Sequence, residues 1–376
     1  MGPGERAMID EALAHYAAQG LDPGYQGVFE ERYCTAFAEM MGGGYADAVA
    51  TGTAALFVAL AALELPKASE VIVSPITDPG TISAIILNGL TPKLADSAPG
   101  SYNAGPEQIE ARIGPRTACV LVVHSVGRAA EIDEITRLAR ARGLRVLEDC
   151  SQAHGALHQG ARVGSFGDIA AFSTMYRKAS ITGASGGVVY SRDQDLYRRA
   201  LAHADRGKPR WIEGFDDRDP AQFLFPALNL HTDELSCAVG LASLRRLDDT
   251  RARRLAFVAE VTRLIAERSA ACRPYGCSTD DSPFIYPVFV DGRRLGVDKE
   301  AFARAVQAEG IGLSPHYRYL VADWPWVRQH LADDFDCPNA RVVRDGSFNL
   351  YLNEQYGPQE ALDTADAIAK VEAGLT

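Results

Sequence analysis

Lys178 has the setting in this sequence that most suggests covalent chemistry. It follows Phe172-Ser173 closely and precedes a glycine-rich turn, Gly183 to Gly187. A lysine placed near the end of a strand beside such a turn suits Schiff-base formation with a carbonyl compound. Most lysines are surface charges, so Lys178 alone does not decide the function.

A second segment whose residues could do chemistry is Glu148-Asp149, which comes directly after the predicted strand Leu144 to Leu147. A carboxylate at the end of a buried strand can hold a ring nitrogen in its protonated form. The alternative is a solvated strand end with no chemical role. The same segment continues to Gln152 and Gly155, so it offers an amide close to the acidic pair.

A third segment, Thr51 to Leu56, places small residues ahead of a strong helical run. The amides of Gly52 and Thr53 would then lie at a helix N-terminus, where unpaired N–H groups and the helix dipole favour an anion. The alternative is an ordinary helix start that Thr51 caps.

The elements around these segments alternate between strands and helices. Cys119 to Val123 is a continuous apolar run, Ile132 to Ala139 repeats at helical spacing, and Leu144 to Leu147 is the next strand. Glu70 to Ser74 and Pro92 to Ala95 are predicted as further strands of the same sheet. This βαβ order predicts an α/β fold with a mostly parallel sheet covered by helices. Ligands bind beyond the carboxyl ends of such strands, where the three segments lie.

The pattern changes near residue 250, which predicts a large domain over 1–250 and a smaller α+β domain over 251–376. The N-terminal helix is expected to pack on the smaller domain. The elements that support this division are one long helix over Leu244 to Arg268, a strand over Phe284 to Val290, a helix over Lys299 to Glu309, a helix that begins at Pro358, and the N-terminal helix around Ile9 to Ala18.

Composition excludes several classes of protein. The 376 residues are 47% apolar and 23% charged, which excludes disorder, and the net charge of -11 argues against nucleic acid as a partner. The longest apolar run, Ala54 to Leu63, is shorter than the roughly 20 residues of a membrane span. The first residues carry no secretory signal, and the seven cysteines include no CxxC pair. We therefore expect a cytoplasmic enzyme with reduced thiols and no membrane partner.

Taken together, the ordered motifs resemble the DegT/DnrJ/EryC1/StrS family of sugar aminotransferases, which are fold-type I pyridoxal 5'-phosphate enzymes. The resemblance covers nearly the whole chain. The matching segments are the phosphate turn Thr51 to Leu56, the E-D-x-x-Q-x-x-G segment Glu148 to Gly155, the G-x-x-G-D segment Gly164 to Asp168, the F-S-x-x-x-x-K segment Phe172 to Lys178, and Asn229 ahead of a helix.

The resemblance implies a role for each matching residue. Lys178 would bind the cofactor covalently and act as general base, Asp149 would pair with the pyridinium nitrogen, and Gln152 would contact the phenolic oxygen. The phosphate would be held by Gly52, Thr53 and Ser173, and by Asn229 of the second subunit in a homodimer with shared active sites. The donor would be glutamate or glutamine, and the acceptor a keto sugar, nucleotide-linked in the leading interpretation, or a keto cyclitol.

Two departures from the family pattern lie on the substrate side of the expected cofactor site. Asp78 stands where the family has an aromatic residue, and the turn over Gly183 to Gly187 is one residue longer than usual. Asp78 has two alternative roles, contact with substrate hydroxyl groups or capping of a helix that begins at Pro79. In the C-terminal domain His316 and Tyr317 are further candidates for substrate contact. The alternative for His316 is a purely structural role.

Other functions and sites are less consistent with the sequence. Deoxysugar dehydratases of the same fold have histidine in place of the lysine, so the presence of Lys178 argues against that activity. No G-x-G-x-x-G segment follows a strand, which argues against a nicotinamide-dependent enzyme. A non-catalytic member of the family is the remaining alternative. His154 and His158 have the spacing of a helical metal pair, but Gly155 interrupts it, so we expect no metal site. Cys150 is interpreted as a buried thiol.

Overall fold

The computed structural model of the protein describes residues 2–375, and within them the chain forms thirteen strands and thirteen α-helices. The strands are β1 (Tyr45–Val49), β2 (Glu70–Val73), β3 (Thr91–Leu94), β4 (Thr117–Val123), β5 (Arg145–Asp149), β6 (Leu157–His158), β7 (Ala161–Arg162), β8 (Ile169–Ser173), β9 (Gly187–Ser191), β10 (Cys272–Pro274), β11 (Ile285–Val290), β12 (Leu313–Ser314) and β13 (Ser347–Tyr351).

The helices vary from single turns to six turns. They are α1 (Pro3–Ala17), α2 (Val28–Met40), α3 (Gly52–Ala62), α4 (Pro79–Leu87), α5 (Pro106–Glu110), α6 (Ile132–Ala141), α7 (Gln194–Ala204), α8 (Glu234–Arg245), α9 (Leu247–Arg268), α10 (Gly292–Leu295), α11 (Lys299–Ala308), α12 (Pro338–Gly346) and α13 (Pro358–Leu375). None of those within residues 2–375 is both long enough and apolar enough to cross a bilayer.

The large sheet has seven strands in the order β1-β9-β8-β5-β4-β2-β3. Only β9 runs against its neighbours, and the pairs from β8 across to β3 are all parallel. Alternate residues of β2 face opposite layers: Val71 and Val73 pack with α3 and α4, whereas Ile72 packs with α6. The predicted parallel sheet, covered by helices on both faces, is therefore confirmed.

The C-terminal part contains an antiparallel sheet of four strands in the order β10-β11-β13-β12. Its core joins α9, α11 and α13 to this sheet through apolar residues such as Phe302 and Phe348, which are fully buried. The predicted α+β character of this region is thus observed. The exact division of the chain at residue 250 stays a prediction.

Two predictions on the helices differ from the structure. The single helix expected from Leu244 to Arg268 is divided into α8 and α9 by Arg246, whose φ of -102° and ψ of 5° leave the helical region. The Arg246 side chain binds Glu5 of α1 at 2.6 Å and the Thr250 hydroxyl at 2.9 Å. Helix α1 packs against α8. The prediction that it would pack on the smaller domain is therefore wrong.

Candidate active site

A cavity of about 780 Å³ lies where β4, β5 and β8 end and the C-terminal sheet approaches them. It collects most of the residues that the sequence pointed to. Those that line it are Gly52, Thr53, Asp78, Asp149, Gln152, Ser173, Lys178 and Tyr317. The parallel topology brings them together, because the carboxyl ends of neighbouring parallel strands share one edge of the sheet.

The N-terminus of α3 forms one wall of the cavity. Thr51 Oγ1 accepts a hydrogen bond from the Ala54 amide at 2.8 Å, so Thr51 caps the helix. The Gly52 and Thr53 amides of the first turn stay available to an anion. A Cβ atom on Gly52 would lie only 2.4 Å from Ser173 Cβ, so glycine is needed for β8 to approach this turn. The cap and the anion site expected from sequence are therefore compatible.

Asp149 is a buried carboxylate at the end of β5, held from both sides. Its Oδ2 accepts a hydrogen bond from the Thr81 hydroxyl at 3.0 Å, and its Oδ1 accepts one from the Ser151 amide at 3.0 Å. The Thr77 hydroxyl in turn donates to Thr81 Oγ1 at 2.8 Å. This chain of hydrogen bonds fixes the direction of the carboxylate toward the cavity.

Glu148, the other half of the acidic pair, points to the opposite face of the sheet. Its carboxylate accepts hydrogen bonds from the amides of Gly164, Phe166 and Gly167, and it contacts His124 Nε2 at 3.0 Å. Burial opposes ionisation, but the His124 contact and these amides hold the pKa of Glu148 below its usual range. Glu148 therefore anchors the turn before β8 and does not enter the cavity.

Lys178 presents its amine to the cavity over an aromatic surface. Its Nζ lies 4.2 Å from the centre of the Phe284 ring. Burial lowers the pKa of Lys178 to about 8, although Asp149 and Asp78 oppose the shift, and the charge of Arg254 adds to it. At pH 7 about a tenth of such an amine is neutral, whereas an ordinary lysine is neutral in only about one part in several thousand. The amine is thus prepared to act as a nucleophile or base.

Gln152 connects the large domain to the C-terminal part. Its Oε1 accepts a hydrogen bond from the Val126 amide at 2.9 Å, so its amide nitrogen faces Tyr317, whose hydroxyl it contacts at 3.4 Å. Val126 has a φ of 56°, a left-handed conformation that is uncommon for a β-branched residue. Strain of this kind is often found at functional sites. Burial raises the pKa of Tyr317 above its usual range.

Asp78 performs the capping role that the sequence offered as one alternative. Its Oδ1 accepts a hydrogen bond from the Gly80 amide at 2.8 Å, with Pro79 as the first residue of α4. The residue is exposed and also lines the cavity near Tyr319, where its charge adds to the effect of burial in raising the pKa of that tyrosine. Capping occupies only one carboxylate oxygen, so the structure leaves both roles open.

Two of the expected residues lie outside the cavity. Asn229 is exposed on the segment before α8, where its backbone forms an isolated bridge with Asp205. His316 faces Lys299, with 3.2 Å between Nδ1 and Nζ, beside a separate shallow depression. His154 contacts the Ser173 carbonyl at 2.8 Å, whereas His158 contacts Asp133 at 2.6 Å, so these two rings have different partners.

Several cavity residues carried no sequence signal. Phe284 and Thr81 lie in ordinary apolar segments, and nothing in their types or spacing marks them. Arg254 belongs to a run with Arg251 and Arg253, which is typical of a solvated helix face. The structure instead buries Arg254, which is 3% exposed, while Arg253 stays in solvent. Helical spacing from Phe257 and Val258 would have been the one available clue, because these residues mark the buried side of α9.

Comparison with known proteins places this arrangement among related enzymes. A spore coat polysaccharide biosynthesis protein, SpsC of Bacillus subtilis (strain 168), is 30% identical over 345 residues, which are 90% of this chain and 88% of the relative. An aminotransferase from Psychrobacter cryohalolentis has 27% identity and a TM-score of 0.89, covering all of this chain and 98% of its own. A 3-amino-5-hydroxybenzoic acid synthase has 26% identity and a TM-score of 0.87, covering 100% and 97%.

These solved structures are fold-type I enzymes, so the fold class expected from sequence is confirmed. The family model for the DegT/DnrJ/EryC1/StrS aminotransferases matches residues 9–369, nearly the whole chain. The match includes every motif segment that borders the cavity, from Thr51 to Lys178. With sequence, fold and cavity in agreement, the chain belongs to the DegT/DnrJ/EryC1/StrS aminotransferase family.

Proposed function

We propose that this protein is a pyridoxal 5'-phosphate-dependent aminotransferase. It would transfer an amino group from glutamate or glutamine to a keto sugar, nucleotide-linked in the leading form of the proposal, or to a keto cyclitol. The observation that carries the proposal is the Lys178 amine in one cavity with the fixed carboxylate of Asp149 and the first turn of α3, and the lowered pKa of that amine supports it. Family membership supports the same activity.

The residues present fit this cofactor. The Gly52 and Thr53 amides and the Ser173 hydroxyl form a cradle for a phosphate dianion, and a side chain on Gly52 would fill it. Asp149 is the buried carboxylate that would hold the ring nitrogen protonated, and Gln152 would meet the phenolic oxygen. When bound, the protonated ring supplies an electron sink that stabilises a substrate carbanion.

The chain's own groups then divide the work of proton transfer and orientation. Lys178 Nζ, neutral in a useful fraction at pH 7 to 8, would take the proton from the substrate carbon that bears the amine and deliver it to the cofactor carbon that receives the amino group. Thr81 and the Ser151 amide keep Asp149 in place throughout. The Phe284 ring lies against the amine, its centre 4.2 Å from Nζ, and contributes to its burial.

A direct test follows the amino group itself. The pyridoxal-loaded protein should lose its visible absorption band on addition of L-glutamate or L-glutamine. The resulting amino form should then regain the band only with certain nucleotide-linked keto sugars or keto cyclitols. Failure of every amino acid to bleach the band would contradict the proposed function.

The homodimer is a further part of the proposal, supported by the position of Asn229. This residue is exposed, yet it lies in a segment with exposed apolar side chains, Ile212, Leu224 and Leu228. Such side chains are often covered by a partner subunit. In a dimer with shared sites, Asn229 would reach the phosphate cradle of the neighbouring subunit.

We expect active sites to be restored when two inactive variants are mixed. A Lys178→Ala chain retains Asn229, and an Asn229→Ala chain retains Lys178, so a mixed dimer contains one complete site. After denaturation and joint refolding, activity should approach about a quarter of the wild-type value, because half of the dimers are mixed and each has one intact site of two. Mixing two Lys178→Ala preparations is the control. A fully active monomer in sedimentation would contradict shared sites.

Asp78 offers a test of substrate contact. Asp78→Asn and Asp78→Ser both retain a side chain that can cap α4, so neither should reduce stability by much. We expect the acceptor KM to rise about tenfold or more, since a carboxylate hydrogen bond to a substrate hydroxyl would be lost, with the glutamate half-reaction unchanged. Unchanged acceptor kinetics in both variants would leave capping as the sole role of Asp78.

A further inference from the structure

Arg254 of α9 is a buried cation that borders the same cavity. Its side chain contacts the Pro283 carbonyl and Glu354 Oε2, each at 3.3 Å, the long limit for a hydrogen bond of this kind. Its Nε has no hydrogen-bond partner among the residues 2–375. A guanidinium group carries five N–H donors. Arg254 is therefore poorly satisfied at a depth where unsatisfied charge is costly.

The surroundings of Arg254 do not compensate this charge fully. Glu354, its one ionic partner among the described residues, is shared with Arg246, which approaches the other oxygen at 3.6 Å. Burial lowers the pKa of Arg254, and Glu354 opposes that shift. An anionic ligand in the cavity would accept the hydrogen bonds of the guanidinium group that the protein itself does not accept, and would balance its charge.

The location of Arg254 limits which anion this is. Its contact at Pro283 is adjacent in sequence to Phe284, whose ring lies under the Lys178 amine. Its charge is also felt at Lys178 and at His154. Arg254 and Lys178 also line the same cavity, so an anionic group bound by Arg254 would share that cavity with the reacting nitrogen. In an amino acid, the α-carboxylate is attached to the very carbon that carries the reacting amine.

We propose that Arg254 binds the α-carboxylate of the amino donor and thereby selects amino acids in the first half-reaction. The inference rests on the proposed aminotransferase function and deepens it. The planar fork of arginine matches a carboxylate, and lysine cannot reproduce that geometry. A keto sugar or keto cyclitol has no carboxylate, so Arg254 should matter for the donor and not for the acceptor. The phosphate of a nucleotide-linked acceptor is also an anion that arginine could bind. Kinetics of the two half-reactions distinguish a donor carboxylate from an acceptor phosphate.

The experiment compares Arg254→Gln and Arg254→Lys with the control Arg253→Gln, each as the purified full-length protein loaded with pyridoxal 5'-phosphate. Arg253 is the neighbouring residue on α9, exposed and paired with Asp249 at 2.9 Å. Single-turnover rates with L-glutamate should show a donor dissociation constant raised by about ten- to a hundredfold in Arg254→Gln, and by less in Arg254→Lys. The acceptor dissociation constant of both variants, and all constants of Arg253→Gln, should stay within about twofold of wild type.

A second readout does not depend on turnover. Glutarate carries carboxylates but no amine, so it binds without reacting. Calorimetry should detect glutarate binding to wild type and to Arg253→Gln, and at least about tenfold weaker binding to Arg254→Gln. Circular dichroism checks that each variant is folded. If Arg254→Gln does not fold, Arg254→Lys, which keeps the charge, decides the question through the same two measurements.

The outcomes are distinct. Donor constants and glutarate binding that are unchanged in folded Arg254 variants would overturn the inference while transamination by wild type stands. A rise confined to nucleotide-linked acceptors would also overturn it, in favour of a phosphate site. A wild-type protein that reacts with no amino acid would overturn the proposed function and the inference together.

Discussion

Lys178→Ala is expected to abolish amino-group transfer while the protein stays folded. The substitution removes the amine that would carry the proton from the substrate carbon to the cofactor carbon that receives the amino group, and general-base groups of this kind contribute about 10²- to 10⁴-fold in rate. It also removes the covalent attachment of the cofactor, so the total loss should be at least about a thousandfold. Half-reaction rates with L-glutamate, measured in the variant loaded with cofactor, check this prediction.

The fold should survive because Lys178 makes no ion pair among the described residues, and alanine leaves only a wider cavity. Lys370→Ala is a suitable control, since Lys370 lies on α13 with its side chain 70% exposed. It should retain wild-type rates. Full activity in Lys178→Ala would show that another group carries the proton, and the proposed mechanism would fail.

Asp149→Asn is expected to retain some cofactor but to lose most of its turnover. The asparagine oxygen can still accept the hydrogen bond from the Ser151 amide, and its Nδ2 takes the place of Oδ2 and can donate to the Thr81 hydroxyl once that hydroxyl turns, so the local structure should persist. It cannot stabilise a protonated ring nitrogen as a carboxylate does, so the electron sink is weakened. We expect the glutamate half-reaction to slow by about a hundredfold or more, as measured by single-turnover absorbance changes.

Asp248→Asn is the matched control, because Asp248 is a carboxylate with its side chain 75% exposed and does not line the cavity. Its half-reaction rate should equal that of wild type. If the Asn variant at position 149 also reacted at the wild-type rate, Asp149 would not be the partner of the ring nitrogen.

The central strands of the large sheet were predictable because they are buried on both faces and are therefore rich in apolar residues, although Arg145 interrupts the run from Leu144 to Leu147. The run at Cys119 to Val123 lies within β4, and that at Leu144 to Leu147 lies largely within β5, with ends shifted by one or two residues. The break at Arg246 was not predictable from periodicity, because apolar spacing continues through it. The residue at the break binds Glu5 of α1, a tertiary contact that the spacing of apolar residues does not reveal.

The site residues differ in how far the sequence could place them. The motifs located Asp149, Gln152 and Lys178 at one sheet edge, and the structure brings them to one cavity. The acidic pair was interpreted as one feature, although adjacent residues of a strand point to opposite faces. That rule alone would have separated Glu148 from Asp149. The burial of Arg254 depends on packing against the C-terminal sheet, which composition does not reveal.

The central claim is that the Lys178 amine holds the cofactor in the cavity beside Asp149. The most direct measurement is borohydride reduction of the pyridoxal-loaded protein, followed by proteolysis and mass spectrometry of the labelled peptide. We predict a single pyridoxyl group, attached to the peptide that contains Lys178, with no label in the Lys178→Ala protein. A pyridoxyl group on any other lysine, or a wild-type protein that takes up no label, would contradict the claim.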